Sequence, residues 1–123
     1  MAAILQSLLV IVLLSLIGQG MCQNCSTGDL LVQQNQTGTN VQSKPEFKVT
    51  VLNECPCLQA NVKLGCDGFQ TVEPIDPLAL AKSGNGCLLI NGSSMGPFSQ
   101  VSFTYAWDTQ FPFTPISSDI NCN

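Results

Sequence analysis

Phe47-Lys-Val-Thr-Val-Leu-Asn-Glu-Cys55-Pro-Cys57 is the stretch on which the fold turns. Phe47, Val49 and Val51 alternate with Lys48 and Thr50, the two-residue period of a strand with one face buried and one face wet. The two cysteines that follow are too close in sequence to bridge each other without strain, so they are expected to take different partners. As residues i and i+2 of an extended chain they point to the same face and would tie one strand end to two neighbours.

Working outward, the same alternation recurs. Ala60, Val62, Leu64 and Cys66 alternate with Asn61, Lys63 and Gly65, and Val101, Phe103, Tyr105 and Trp107 share a face opposite Ser102, Thr104 and Asp108. Cys87-Leu-Leu-Ile90 is a short apolar run between two turn signals, Gly84-Asn-Gly86 and Asn91-Gly92. Residues 30–32 suggest an opening strand, and Ile116, Ile120 and Cys122 a closing one. The polar stretch 33–45 reads as an exposed loop, and Pro77-Leu-Ala-Leu-Ala-Lys82 could make one or two helical turns. Six or seven short strands with no intervening helices predict an all-β fold, a small antiparallel β-sandwich stapled by disulfides.

The N-terminus sets the compartment. Residues 8–14 are an unbroken apolar run, and Gln6, Ser7 and Ser15 interrupt the wider segment, which is shorter than the ~20 apolar residues a membrane span needs. Residues 1–22 therefore read as a signal peptide, with Gly20-Met21-Cys22 before Gln23 as the cleavage site. The chain has seven cysteines. A cut between Cys22 and Gln23 leaves Cys25, Cys55, Cys57, Cys66, Cys87 and Cys122, an even set that can pair completely, whereas a cut after Gly20 would leave a spare thiol in an oxidising compartment. The expected product, residues 23–123, is one secreted domain with no membrane segment. Its six cysteines allow 15 pairings. Three sequons, at Asn24, Asn35 and Asn91, become usable glycosylation sites in that compartment. Asn35, in the polar stretch, and Asn91, in a turn, are the more accessible pair, since Asn24 adjoins Cys25.

Charge and composition narrow the chemistry. Four lysines, no arginine and eight acidic residues give a net charge of -4, which leaves no basic patch for nucleic acid. There is no histidine, so His-based triads and the commonest zinc ligand are excluded. No motif calls for a cofactor or a metal. Asp67, Glu73, Asp76 and Asp108 could form a hydrolytic carboxylate pair if the fold assembled them, but Asp67 before Gly68 and Asp76 before Pro77 are ordinary turn positions. Tyr105 and Trp107 could build a sugar-stacking platform, as in a cell-wall carbohydrate-binding module. Val101 and Phe103 on the same face point it toward the core, with Trp107 nearest the surface. The sequence thus reads as a non-enzyme.

Several segments together resemble the plant tapetum-determinant family of secreted cysteine-rich proteins. They are Cys25 before Gly28-Asp29-Leu30, the strand 47–55 with Cys57, Val62 to Cys66 followed by Gly68-Phe69, and Asp76-Pro77. Cys87-Leu-Leu-Ile-Asn-Gly92, Phe103-Thr-Tyr-Ala-Trp107, Phe111 and Cys122 complete the set. The resemblance implies a six-cysteine mature domain and an extracellular ligand in the apoplast. Its implied partner is the ectodomain of a leucine-rich-repeat receptor kinase, acting in anther or other cell-fate development.

Overall fold

The computed structural model describes residues 25–122. The expected signal peptide 1–22, its cleavage site at Cys22 and Gln23, and the sequon residue Asn24 lie outside the described residues.

Seven strands follow in order: β1 Leu30–Val41, β2 Lys44–Asn53, β3 Leu58–Gly65, β4 Leu80–Ser83, β5 Gly86–Leu89, β6 Gln100–Ala106 and β7 Thr114–Asn121. They form two antiparallel sheets, β1-β2-β6 and β4-β5-β3-β7. Short 3-10 turns at Thr27–Asp29 and Ile90–Gly92 complete the regular structure, and no α-helix occurs among the described residues. None of these helical turns is long and apolar enough to cross a membrane.

The alternation in β2 makes it the centre of its sheet. Phe47, Val49, Val51 and Asn53 are buried while Lys48 is exposed. Across the ladder Phe47 pairs with Tyr105 and Val49 with Phe103, so two aromatic rungs of β6 sit beside two apolar rungs of β2. Val62 and Leu64 of β3, both fully buried, present the facing layer. Leu30, Cys66, Leu80, Cys87, Leu89, Met95 and Phe113 fill the space between the sheets.

Two expectations fail. The stretch 33–45 is mostly strand rather than loop: β1 runs on to Val41 and pairs with β2 from Leu30↔Asn53 to Val41↔Lys44. The hairpin closes through Gln42 and Ser43, whose φ angles of 50° and 66° are those of a two-residue turn matched to strand twist. Residues 35–40 are exposed, so this end of the hairpin stands beyond the core and is held by backbone hydrogen bonds that ask nothing apolar of the side chains. The stretch 77–82 makes one turn and no helix. Asp76 accepts the Leu78 amide on its side chain at 2.9 Å and the Ala79 amide on its carbonyl at 2.8 Å, and Leu80–Ser83 then enters the ladder with β5. Gly84, at φ 62°, opens the two-residue turn that returns the chain.

Three disulfides staple the domain: Cys25–Cys55 at the end of β2, and Cys57–Cys122 and Cys66–Cys87, which both join strands of the four-stranded sheet. Cys55 and Cys57 take different partners, and their two bridges tie the end of β2 to the N-terminal segment and the start of β3 to the end of β7.

Candidate functional site

The carboxylates singled out for hydrolysis do not assemble. Asp67 and Asp76 are exposed on separate turns, and Asp108 is ion-paired with Lys44 at 2.6 Å. Glu73 does find a second carboxylate, but it is Glu46, which no local pattern singles out. Glu46 begins the pairing of β2 with β6, opposite Ala106. The segment carrying Glu73 is laid against that same edge of β6: the Val72 amide donates to the Ala106 carbonyl, and the Ala106 amide donates to Thr71 Oγ1, both at 3.0 Å.

Desolvation, and then a hydrogen bond to Glu46, push the Glu73 carboxyl above its ordinary range, while the Thr104 hydroxyl donating to it pulls the other way. The hydrogen bond from Glu73, followed by one from Thr37 at 2.7 Å, holds Glu46 low. Of the two, Glu73 is the group that takes up a proton first as pH falls, and Glu46 the one that stays ionised longer. Carboxyls in direct hydrogen-bond contact leave no room for a glycosidic bond between them, which needs a separation of about 5 Å or more. The arrangement closes the strand edge and is not built for hydrolysis.

The proposed aromatic platform is corrected by burial. Tyr105 is fully buried. Its ring stacks on Phe47 at 5.3 Å and meets Phe69, Phe111 and Phe113 at 5.3–6.0 Å. Its hydroxyl donates to Gln34 Oε1 at 2.7 Å and accepts the Phe111 amide at 2.9 Å. Burial pushes the phenol pKa up. Tyr105 is thus the hub of the core and unavailable to a sugar. Trp107 is half-buried, and Lys44 Nζ lies 5.3 Å from its ring centroid. One ring attended by a lysine does not make a two-ring platform.

A cleft of about 270 Å³ opens between the segment 69–75 and β4, lined by Phe69, Thr71, Ile75, Leu80, Lys82 and Cys87. It falls below the range of about 300–1,000 Å³ usual for small-molecule sites. Cys25, Cys55, Cys57, Cys122 and Asp29 lie close enough together to be weighed as a metal centre. Its four sulfurs are in two disulfides, so they offer no thiolate, and Asp29 accepts the Ser26 amide at 2.8 Å.

The two sequons within the described residues are both exposed. Asn35 stands on β1, opposite Lys48, and Asn91 sits in the second 3-10 turn with φ 54°.

The family described as Tapetum determinant 1, C-terminal matches residues 26–123. The uncharacterized Arabidopsis thaliana protein At1g05835 is 30% identical over 122 residues, covering 97% of this chain and 94% of its own length. TPD1 protein homolog 1B of Oryza sativa subsp. japonica is 31% identical over 91 residues, 72% of this chain and 54% of that protein. TPD1 protein homolog 1 of Arabidopsis thaliana is 28% identical over 98 residues, 77% of this chain and 55% of that protein. The matched region thus spans about half the length of these two homologues. No solved structure matches the chain. A disulfide-stapled sandwich whose six described cysteines all pair, with the match running over nearly all of it, places this chain in the Tapetum determinant 1, C-terminal family.

Proposed function

We propose that this chain is a secreted, cysteine-rich signalling protein, the extracellular ligand of a leucine-rich-repeat receptor kinase in plant cell-fate development. Its family membership fits a plant developmental signalling protein, and the family match across residues 26–123 is the observation that carries the reading. The described residues support it in two further ways. The carboxylates considered for hydrolysis are dispersed or engaged with a neighbouring carboxyl, so that alternative gains no support from them. Three disulfides in so small a domain fit a protein that works in an oxidising compartment.

On this reading residues 1–22 direct the chain to the secretory pathway, cleavage falls between Cys22 and Gln23, and the protein acts in the apoplast without enzymatic activity or a cofactor. Asn35 and Asn91 carry glycans ahead of Asn24. The test is binding of the purified mature protein to a panel of leucine-rich-repeat ectodomains. Saturable binding to at least one is expected, and no binding to any would refute the reading.

A further inference from the structure

Residues 96–99 form a β-turn in which the Ser99 amide donates to the Gly96 carbonyl at 3.2 Å. Pro97 takes the second position, where its fixed φ suits the turn, and Phe98 takes the third with φ 57°. A turn of this kind wants glycine or asparagine there, because a Cβ in the left-handed region crowds its own backbone. Phe98 is also 65% exposed. Phe47, Phe103 and Phe113 are buried, and Phe69 and Phe111 pack against the core. Phe98 is thus the one phenylalanine of six that stands in water, and it does so on a strained backbone.

The strain is held in place by a buried frame. Asn53, fully buried at the end of β2, donates its backbone amide to the Ser99 carbonyl at 2.9 Å and its side-chain amide to the Gly96 carbonyl at 3.0 Å. Gln59 of β3, also fully buried, exchanges both backbone hydrogen bonds with Met95 and donates its side-chain amide to Asn53 Oδ1 at 3.1 Å. The turn is therefore pinned to one strand of each sheet, beside the Cys25–Cys55 and Cys57–Cys122 bridges. A tip fixed in this way enters a complex with little conformational entropy left to lose.

Its surroundings indicate the kind of surface it meets. Leu52 of β2 pairs with both Leu31 of β1, itself exposed, and Gln100, two residues beyond Phe98, which gives an apolar shoulder on the outer face of the sheet. Glu54 is exposed next to the frame, the charge that a basic rim on the partner would meet. Glycine at position 98 would serve the fold without strain, so the benefit of phenylalanine lies outside the fold. We propose that Phe98 is the anchor of the interface with the protein receptor, inserting into an apolar pocket with a basic rim; the proposal rests on the ligand reading above.

The experiment compares purified mature wild type, Phe98→Gly and Leu78→Ala by biolayer interferometry on the ectodomain panel, with thermal unfolding of each. Leu78 is equally exposed, at 65%, and lies in the turn before β4. Phe98→Gly is expected to melt at or above the wild-type temperature and to bind about tenfold or more weakly, as loss of an aromatic anchor does. Leu78→Ala is expected to bind as wild type does. Wild-type affinity in Phe98→Gly would overturn the anchor and leave the ligand reading standing. A lowered melting temperature in Phe98→Gly would make the residue structural and overturn it too. An equal loss in Leu78→Ala would mark general apolar adhesion and also overturn it. If wild type bound no ectodomain, the ligand reading would fall and the anchor with it.

Discussion

The Cys57–Cys122 bridge is expected to contribute most of the three disulfides, and replacing both cysteines by alanine tests why. It closes 65 residues of chain, against 30 for Cys25–Cys55 and 21 for Cys66–Cys87. In the chain-entropy description these loops correspond to about 4.3, 3.6 and 3.3 kcal/mol at 25 °C. Domains of this size are stable by only ~5–15 kcal/mol, so loss of the longest loop removes a large fraction of the total. A local effect adds to the entropic one. β7 holds few apolar anchors: Ile116 and Ile120 are 45% and 37% exposed, and its ladder with β3 is interrupted between Ala60 and Lys63 and again between Lys63 and Leu64. The bridge at Cys122 clamps the free end of that strand. Urea unfolding of the oxidised protein should show the Cys57→Ala/Cys122→Ala variant losing about 4 kcal/mol. Hydrogen exchange should show the amides of residues 118–121 losing protection ahead of β2. A loss smaller than that of the Cys66→Ala/Cys87→Ala variant, together with unchanged exchange in β7, would refute both the loop-length argument and the clamp.

Three other outcomes follow from particular contacts. The raised pKa of Glu73 means that its acid form contributes stability in full below the ordinary carboxyl value of 4.5, and that this contribution is lost as pH rises through the raised folded value. Glu73→Gln, which keeps a donor and cannot ionise, should match wild type in melting temperature in acid and exceed it near pH 7; parallel pH profiles would refute the paired-carboxyl assignment. Asn53→Leu strips partners from Gln59, Cys55, Cys57 and Gly96 at once, and should cost about 3 kcal/mol or more in chemical denaturation. Gly86→Ala would set a Cβ 2.7 Å from the Leu64 carbonyl oxygen, so a loss of ~1–3 kcal/mol is expected by the same measurement.

How much of this was legible in the chain depends on whether the deciding signal was local. The alternation in β2, β3 and β6 is a property of consecutive residues, and so are the turn residues around β5; all four strands form where the pattern placed them. Opposite the long polar arm of β1, local chemistry misleads, because nothing in Gln33-Gln-Asn-Gln36 announces a ladder. The ladder is supplied by β2, whose backbone accepts any side chain facing water. Leu80–Ser83 had apolar residues in a helical arrangement and became a strand because β5 lies beside it across a two-residue turn. Glu46 was invisible as a partner of Glu73 since 27 positions separate them and only the segment lying along β6 brings them together.

Residue order alone determined the β-sandwich class, the shared inward face of Val101, Phe103 and Tyr105, and the need for Cys55 and Cys57 to seek separate partners. Each of these follows from steric and periodic rules acting over a few residues. Tertiary structure decided which cysteine meets which, why Tyr105 is wholly enclosed while Trp107 keeps one side open, and how a phenylalanine comes to be held in a glycine's conformation. Those outcomes depend on which strands lie side by side and which segments close their edges, and that information arises only when both sheets have packed.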